Sequence, residues 1–140
     1  MPSWILFALL SAIFAALTAL FAKAGLKDVN ADLATAIRTV FILVITWGIV
    51  LYKGLVTQIQ SISKFNWLFL GLSALATGLS WLFYYRALQS GKAGEVSVVD
   101  KGSLLFTILL AFIFLKEPLT PRVLIASGLM LAGMLVMVWR

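Results

Sequence analysis

Of 140 residues, 63% are hydrophobic and only 11% charged, with a mean hydropathy of +1.10 and a net charge of +6. A soluble domain carries ~45–50% apolar and ~25% charged residues, so this chain has too little polar surface to cover a water-facing globule and reads as an integral membrane protein. The eleven Lys and Arg are spread singly, mostly at the ends of apolar runs. That pattern excludes a nucleic-acid surface and fits side chains that snorkel to the membrane interface.

Five apolar runs, at 4–22, 33–52, 65–88, 96–115 and 119–139, fill almost the whole sequence. Each has the ~17–25 residues a helix needs to cross ~30 Å of hydrocarbon. A barrel would instead show alternating segments of ~10 residues. The expectation is an all-α membrane protein with five transmembrane helices, residues 1–140 forming one transmembrane domain with no room for a soluble one. An odd number of spans puts the two termini on opposite sides and suggests half of a larger machine.

The first run lacks a basic n-region and exceeds a typical h-region, so it is expected to be a retained span rather than a cleaved leader. At helical spacing Ser11, Ala15, Thr18 and Ala22 share one of its faces. In the second run Thr35, Thr39 and Thr46 align with Arg38 beside them, and Trp47 reads as core packing. The third aligns Ser73, Thr77, Ser80 and Tyr84, with Trp81 adjoining, and Tyr84 is the preferred cavity aromatic. The fourth aligns Ser97, Asp100, Ser103 and Thr107. The fifth has no such stripe, only Gly128 and Ala132 four residues apart, a face suited to helix association; Ala74 and Gly78 in the third run form a similar pair.

Two readings of the hydroxyls compete: they bond back to their own helix or glue helices together, or four aligned stripes line a shared hydrated interior. Asp100-Lys101 is the sharper signal, because a lone Asp or Lys at a helix centre costs ~2.5–3.5 kcal/mol on insertion scales. Arg38 lies a similar distance inside the second run and Arg86 ends the third. Helix direction places these four near one membrane face, with Asp100 neutralised by Arg38, Arg86 or Lys101. The competing reading starts the fourth helix near Gly102, leaving Asp100 solvated at a helix N-terminus, where an acid is favoured.

On the N-terminal side the connections carry Lys53, Lys64, Lys116 and Arg122. The other side carries Lys23, Lys27, Arg86, Lys92 and Arg140, with Arg38 and Lys101 just inside it. The excess favours an outside N-terminus and an inside C-terminus; without the two inset residues the count is close to balance, which leaves dual topology open. Trp4, Trp67 and Trp139 fall near run ends as interfacial anchors. With no Cys and no His, thiol catalysis, disulfides, haem ligation and the common zinc sites are excluded. No cofactor or metal is expected and, with no nucleophile–base or metal-ligand set, no enzyme.

Two stretches are distinctive in combination. One is Tyr85-Arg86-Ala87-Leu88-Gln89-Ser90-Gly91-Lys92-Ala93-Gly94-Glu95-Val96; the other runs from Leu105-Phe106-Thr107 to Phe114-Leu115-Lys116-Glu117-Pro118-Leu119-Thr120, followed by an apolar helix with Gly128 and Gly133. Together they resemble the EamA domain of the drug/metabolite transporter superfamily, with the whole chain as one five-helix repeat. A Pro often found just before the Phe-Thr is replaced here by Leu104-Leu105, so any kink it supplies has no counterpart at that position.

The resemblance implies carriage of a small metabolite or drug-like solute in a cavity between inverted repeats, and transporter sites are expected at repeat interfaces near the midplane. It implies a half-size transporter that works as a homodimer or with a second five-helix half, in the cytoplasmic membrane of a prokaryote. The expected pathway residues are Thr18, Arg38, Ser80, Tyr84, Asp100, Lys101, Ser103 and Thr107. Glu117 matches a family position, but its place before Pro118 reads as a turn and helix start, with Pro early in the helix. Similar four-helix multidrug carriers couple to protons through an acid in the first helix. None occurs at 4–22 here, so Asp100 would have to substitute. The rival expectations are a non-transporting membrane partner subunit and a lipid-carrier flippase subunit.

Overall fold

The computed structural model describes residues 3–139, so Arg140, which entered the charge count, lies outside the described residues. The chain is 86% helical and no strand occurs among the described residues. The helices are α1 (Ser3–Gly25), α2 (Ala31–Tyr52), α3 (Lys64–Ser90), α4 (Ala93–Asp100), α5 (Ser103–Leu110) and α6 (Pro121–Val138). Counting α4 and α5 as the single apolar stretch Ala93–Leu115, five are long and apolar enough to cross a membrane. The fold class read from the sequence is therefore the observed one. The span limits move by at most a few residues.

The helix ends have identifiable causes. Asn30, with extended backbone, accepts from the amides of Asp32 at 2.9 Å and Leu33 at 3.2 Å and so caps α2. At the far end of α2, Gly54 turns left-handed (φ +65°), a conformation free of steric cost only for glycine. A short 3-10 segment, Leu55–Ser61, follows where a plain polar connection was expected. The Ser63 hydroxyl accepts from the Asn66 amide and starts α3, whose 27 residues span about 40 Å, longer than the hydrocarbon core. Thr120 caps α6 by accepting from the Val123 amide. The early helical proline is Pro121. Pro118 lies in the connection before the helix, which corrects the expectation of a helix start at 118–119.

The chain divides into two units. One comprises residues 1–19 and 91–140, the other residues 20–90. In the second unit, α2 and α3 pair, and the buried residues Leu26, Ala31, Thr35, Tyr85 and Leu88 gather where α2 begins and α3 ends. In the first unit α4 packs on α6. Gly102 is buried there because a Cβ would stand 2.6 Å from Met134 Cε and 3.0 Å from the Val99 carbonyl oxygen.

Most large apolar side chains are exposed along the helices, as lipid tails or a partner would require. Trp47 is among them at 45% exposure, so it is not a core residue of this chain as the sequence suggested. Trp4, Trp67 and Trp139 are exposed near helix ends, as interfacial anchors are.

Candidate functional site

The first polar assembly belongs to residues 20–90, and helix ends create it. Asp32 stands in the first turn of α2, where the helix dipole favours an acid, and Arg86 one turn from the end of α3, where it favours a cation. Their side chains form a two-pronged pair, Arg86 Nε donating to Asp32 Oδ1 at 2.9 Å and Nη2 to Oδ2 at 2.8 Å. Gln89 donates to the Val29 carbonyl at 3.0 Å and Lys23 Nζ to the Leu88 carbonyl at 2.6 Å. The last of these satisfies a carbonyl that the end of α3 leaves open. Three loop-proximal polar side chains thus lock the ends of three helices together.

Deeper along the same pair of helices, the Arg38 guanidinium lies over the Trp81 ring at 4.2 Å and the Tyr85 ring at 5.4 Å. Tyr84 meets Tyr85 edge-on, with ring centres 6.3 Å apart. Arg38 sits seven residues past the start of α2, about 10 Å along the helix. A cation at that depth needs compensation, and the ring faces supply it.

The second assembly belongs to the other unit and centres on a break in the fourth span. The amide of Gly102 donates to the Val99 carbonyl, that of Leu104 to Lys101 and that of Leu105 to Gly102, each three residues back rather than four. The α-helical ladder therefore stops after Asp100 and resumes at Ser103. Lys101 Nζ stands 3.8 Å from Asp100 Oδ2. The same span ends in a π-turn, Ala111–Leu115. There the amides of Lys116 and Glu117 both donate to the Ala111 carbonyl, and Lys116 is left-handed at φ +56°. The fourth span is thus irregular without a proline at 104–105, and Gly102 allows the close approach of Met134 beside the interruption.

Several expectations change. The partner of Arg86 is Asp32, and the rings hold Arg38, so of the three cations considered for Asp100, Lys101 is the one beside it. Asp100 occupies the last turn of α4 and not a helix N-terminus, so the dipole opposes its charge. The supposed single stripe Ser97, Asp100, Ser103 and Thr107 is cut by the break into two pairs, because uniform helical spacing does not carry across it.

The hydroxyls largely bond within their own helices. Thr18 donates to Phe14, Thr35 to Ala31, Thr39 to Thr35, Thr46 to Ile42, Thr77 to Ser73 and Thr107 to Ser103, all at 2.8–2.9 Å. Their lone pairs remain to accept. Ser80 and Ser103 are exposed, as is Lys101, while Thr18, Arg38, Tyr84 and Asp100 are half-buried. Gly128 and Ala132 are exposed, and a Cβ at Gly128 would meet nothing within 4 Å.

Asp32, Tyr85 and Gly102 were missed. Asp32 was legible as an acid at a helix start facing the same boundary as Arg86; Tyr85 was hidden by the choice of its neighbour Tyr84. Among the described residues no group of three acidic side chains is placed to hold a metal.

A family model described as the EamA-like transporter family matches residues 2–139. The chain belongs to that family. This EamA-like chain is also 45% identical over 135 residues to an "Uncharacterized transporter in cobO 3'region" of Sinorhizobium sp, the match covering 96% of each chain. No solved structure matches it. As an EamA-like protein it is an integral membrane protein of a transporter family.

Proposed function

We propose that this EamA-like chain moves a small organic solute across the cytoplasmic membrane of a prokaryote, as a five-helix half completed by a second copy or a related half. The observation that carries the reading is the interruption at Asp100-Lys101-Gly102. Here the α-helical bonding gives way to three-residue bonds beside a charged pair within an apolar span, and secondary transporters build their solute and ion sites on interrupted spans. Such a break is tolerated only where protein or water surrounds it, which favours a pathway beside the fourth span.

In this reading the pathway residues are Arg38, Ser80 and Tyr84 in the unit 20–90 and, in the other unit, Thr18, Asp100, Lys101, Ser103 and Thr107, each set taken within its own unit. Asp100, with Lys101 Nζ 3.8 Å from its Oδ2, is the coupling acid of this reading. The exposed face at Gly128 and Ala132 of α6 serves helix association.

The test uses purified chain in proteoliposomes filled with a defined metabolite mixture, with the retained contents read by mass spectrometry. At least one solute should leave wild-type vesicles in a pH-dependent way. Asp100→Asn should flatten the pH dependence and slow the exit about a hundredfold or more, within the range typical of a lost proton-transfer group. Unchanged flux and pH profile in Asp100→Asn would remove the coupling role. No flux from the chain alone, together with an unrelated protein that copurifies stoichiometrically, would replace the transporter by a partner subunit.

A further inference from the structure

Arg38 and Arg86 are held in different ways, and the difference names a substrate class. Arg86 has both prongs of its guanidinium taken by Asp32. Arg38 is covered on its face, by Trp81 at 4.2 Å and Tyr85 at 5.4 Å, and among the described residues no carboxylate forms an ion pair with it. Face and edge of a guanidinium are chemically distinct. The rings attract and orient the face, while the N–H donors lie in the plane and point outward from its edge. Stacking therefore fixes the fork without using it up.

From this we infer that Arg38 is the head-group site of the pathway and that the solute carries an oxyanion, a carboxylate or a phosphate, gripped by the Arg38 edge in a two-pronged pair. The inference rests on the transporter reading and narrows its substrate to acids. Charge balance supports the choice. The rings leave the Arg38 charge and its N–H edge available to an anion, and Asp32, the acid of α2, is already committed to Arg86. The rival occupant is an organic cation that displaces Arg38 from the rings, since Trp and Tyr faces also hold quaternary ammonium groups. The rings already hold one cation tethered to the chain, so a second would have to evict it, whereas an oxyanion adds to what is there.

Three probes that share a phenyl group and differ in head group separate these cases: phenylacetate, phenyl phosphate and phenyltrimethylammonium. Equilibrium binding is measured on the purified full chain in lipid nanodiscs at constant ionic strength. Phenylacetate, phenyl phosphate or both should bind, and their ratio tells carboxylate from phosphate; the ammonium should not compete. Arg38→Gln should weaken oxyanion binding about ten- to a hundredfold, as losing hydrogen bonds to a charged group does. Arg38→Lys, which keeps the charge without the fork, should recover only part. The wild-type series stands alone if a variant fails to fold. Binding of neither oxyanion, displacement of the oxyanion by the ammonium, or full affinity in Arg38→Gln would overturn the assignment. Solute exit from metabolite-loaded vesicles is the separate readout. Exit without oxyanion binding leaves the transporter reading standing and removes the Arg38 site, and oxyanion binding without exit does the reverse.

Discussion

Two arginines on neighbouring helices meet different fates because of their depth. Arg86, one turn from the end of α3, reaches a carboxylate in the first turn of α2; Arg38 lies further along α2, where aromatic faces replace the carboxylate. Asp32→Asn and Arg86→Gln should each lower the melting temperature of the purified chain. The exchanged pair Asp32→Arg with Arg86→Asp should recover part of the loss, and a double-mutant cycle in nanodiscs measures how much. If the exchange is no better than the sum of the single changes, the pair does not join α2 to α3. Gly102 carries a different requirement. A methyl there meets the mobile end of Met134 and a fixed carbonyl, so Gly102→Ala should destabilise by about 1 kcal/mol, the low end for overpacking, and Gly102→Val by more. Thermal melts of the two variants check the order. Single residues were only partly legible in the sequence: Arg38 and Asp100 stood out as charges in apolar runs, but whether a ring or an acid answers each one depends on helix pairing that a helical wheel does not contain.

The fourth span departs most from a uniform helix. It breaks after Asp100, resumes at Ser103 and ends in a π-turn closed by the left-handed Lys116. A left-handed conformation costs a residue with a Cβ about 1–2 kcal/mol, so Lys116→Gly should stabilise the chain by about 1 kcal/mol, seen as a higher melting temperature. A lower one would mean that the Lys116 side chain contributes more than its backbone costs. Element existence was legible throughout, because long apolar runs with polar ends have one solution in lipid. Interruptions were not. Apolarity is satisfied equally by a straight and an irregular helix, and of the continuous span and the late start that the sequence offers, the structure keeps one stretch, Ala93–Leu115, tightened by three-residue hydrogen bonds at 102–105. The same limit hid the 3-10 segment Leu55–Ser61, whose residues alternate without a strong pattern. Back-bonding to the helix consumes the threonine donors of the stripes in α1, α2 and α3, so alignment in sequence alone does not make a polar channel.

At the scale of the molecule, five candidate spans carry inset charge and extensive exposed apolar surface, which suits lipid or a partner in the bilayer. The near balance of cationic anchors bears on which partner. A C-terminal reporter active on both sides of the membrane is expected if two copies pair antiparallel; activity on one side alone would require a parallel pair or a different half. The chain has no cysteine, so a single introduced thiol reports cleanly, and Gly128→Cys on α6 should cross-link two copies if that open face associates. The most direct measurement of the whole account counts copies against function. Vesicles loaded with the metabolite mixture are reconstituted across a dilution series, and the fraction that loses its contents is compared with the fraction holding one, two or more chains. The account predicts that active vesicles follow the probability of holding at least two copies. A curve that follows single occupancy, or no activity at any loading, would contradict it.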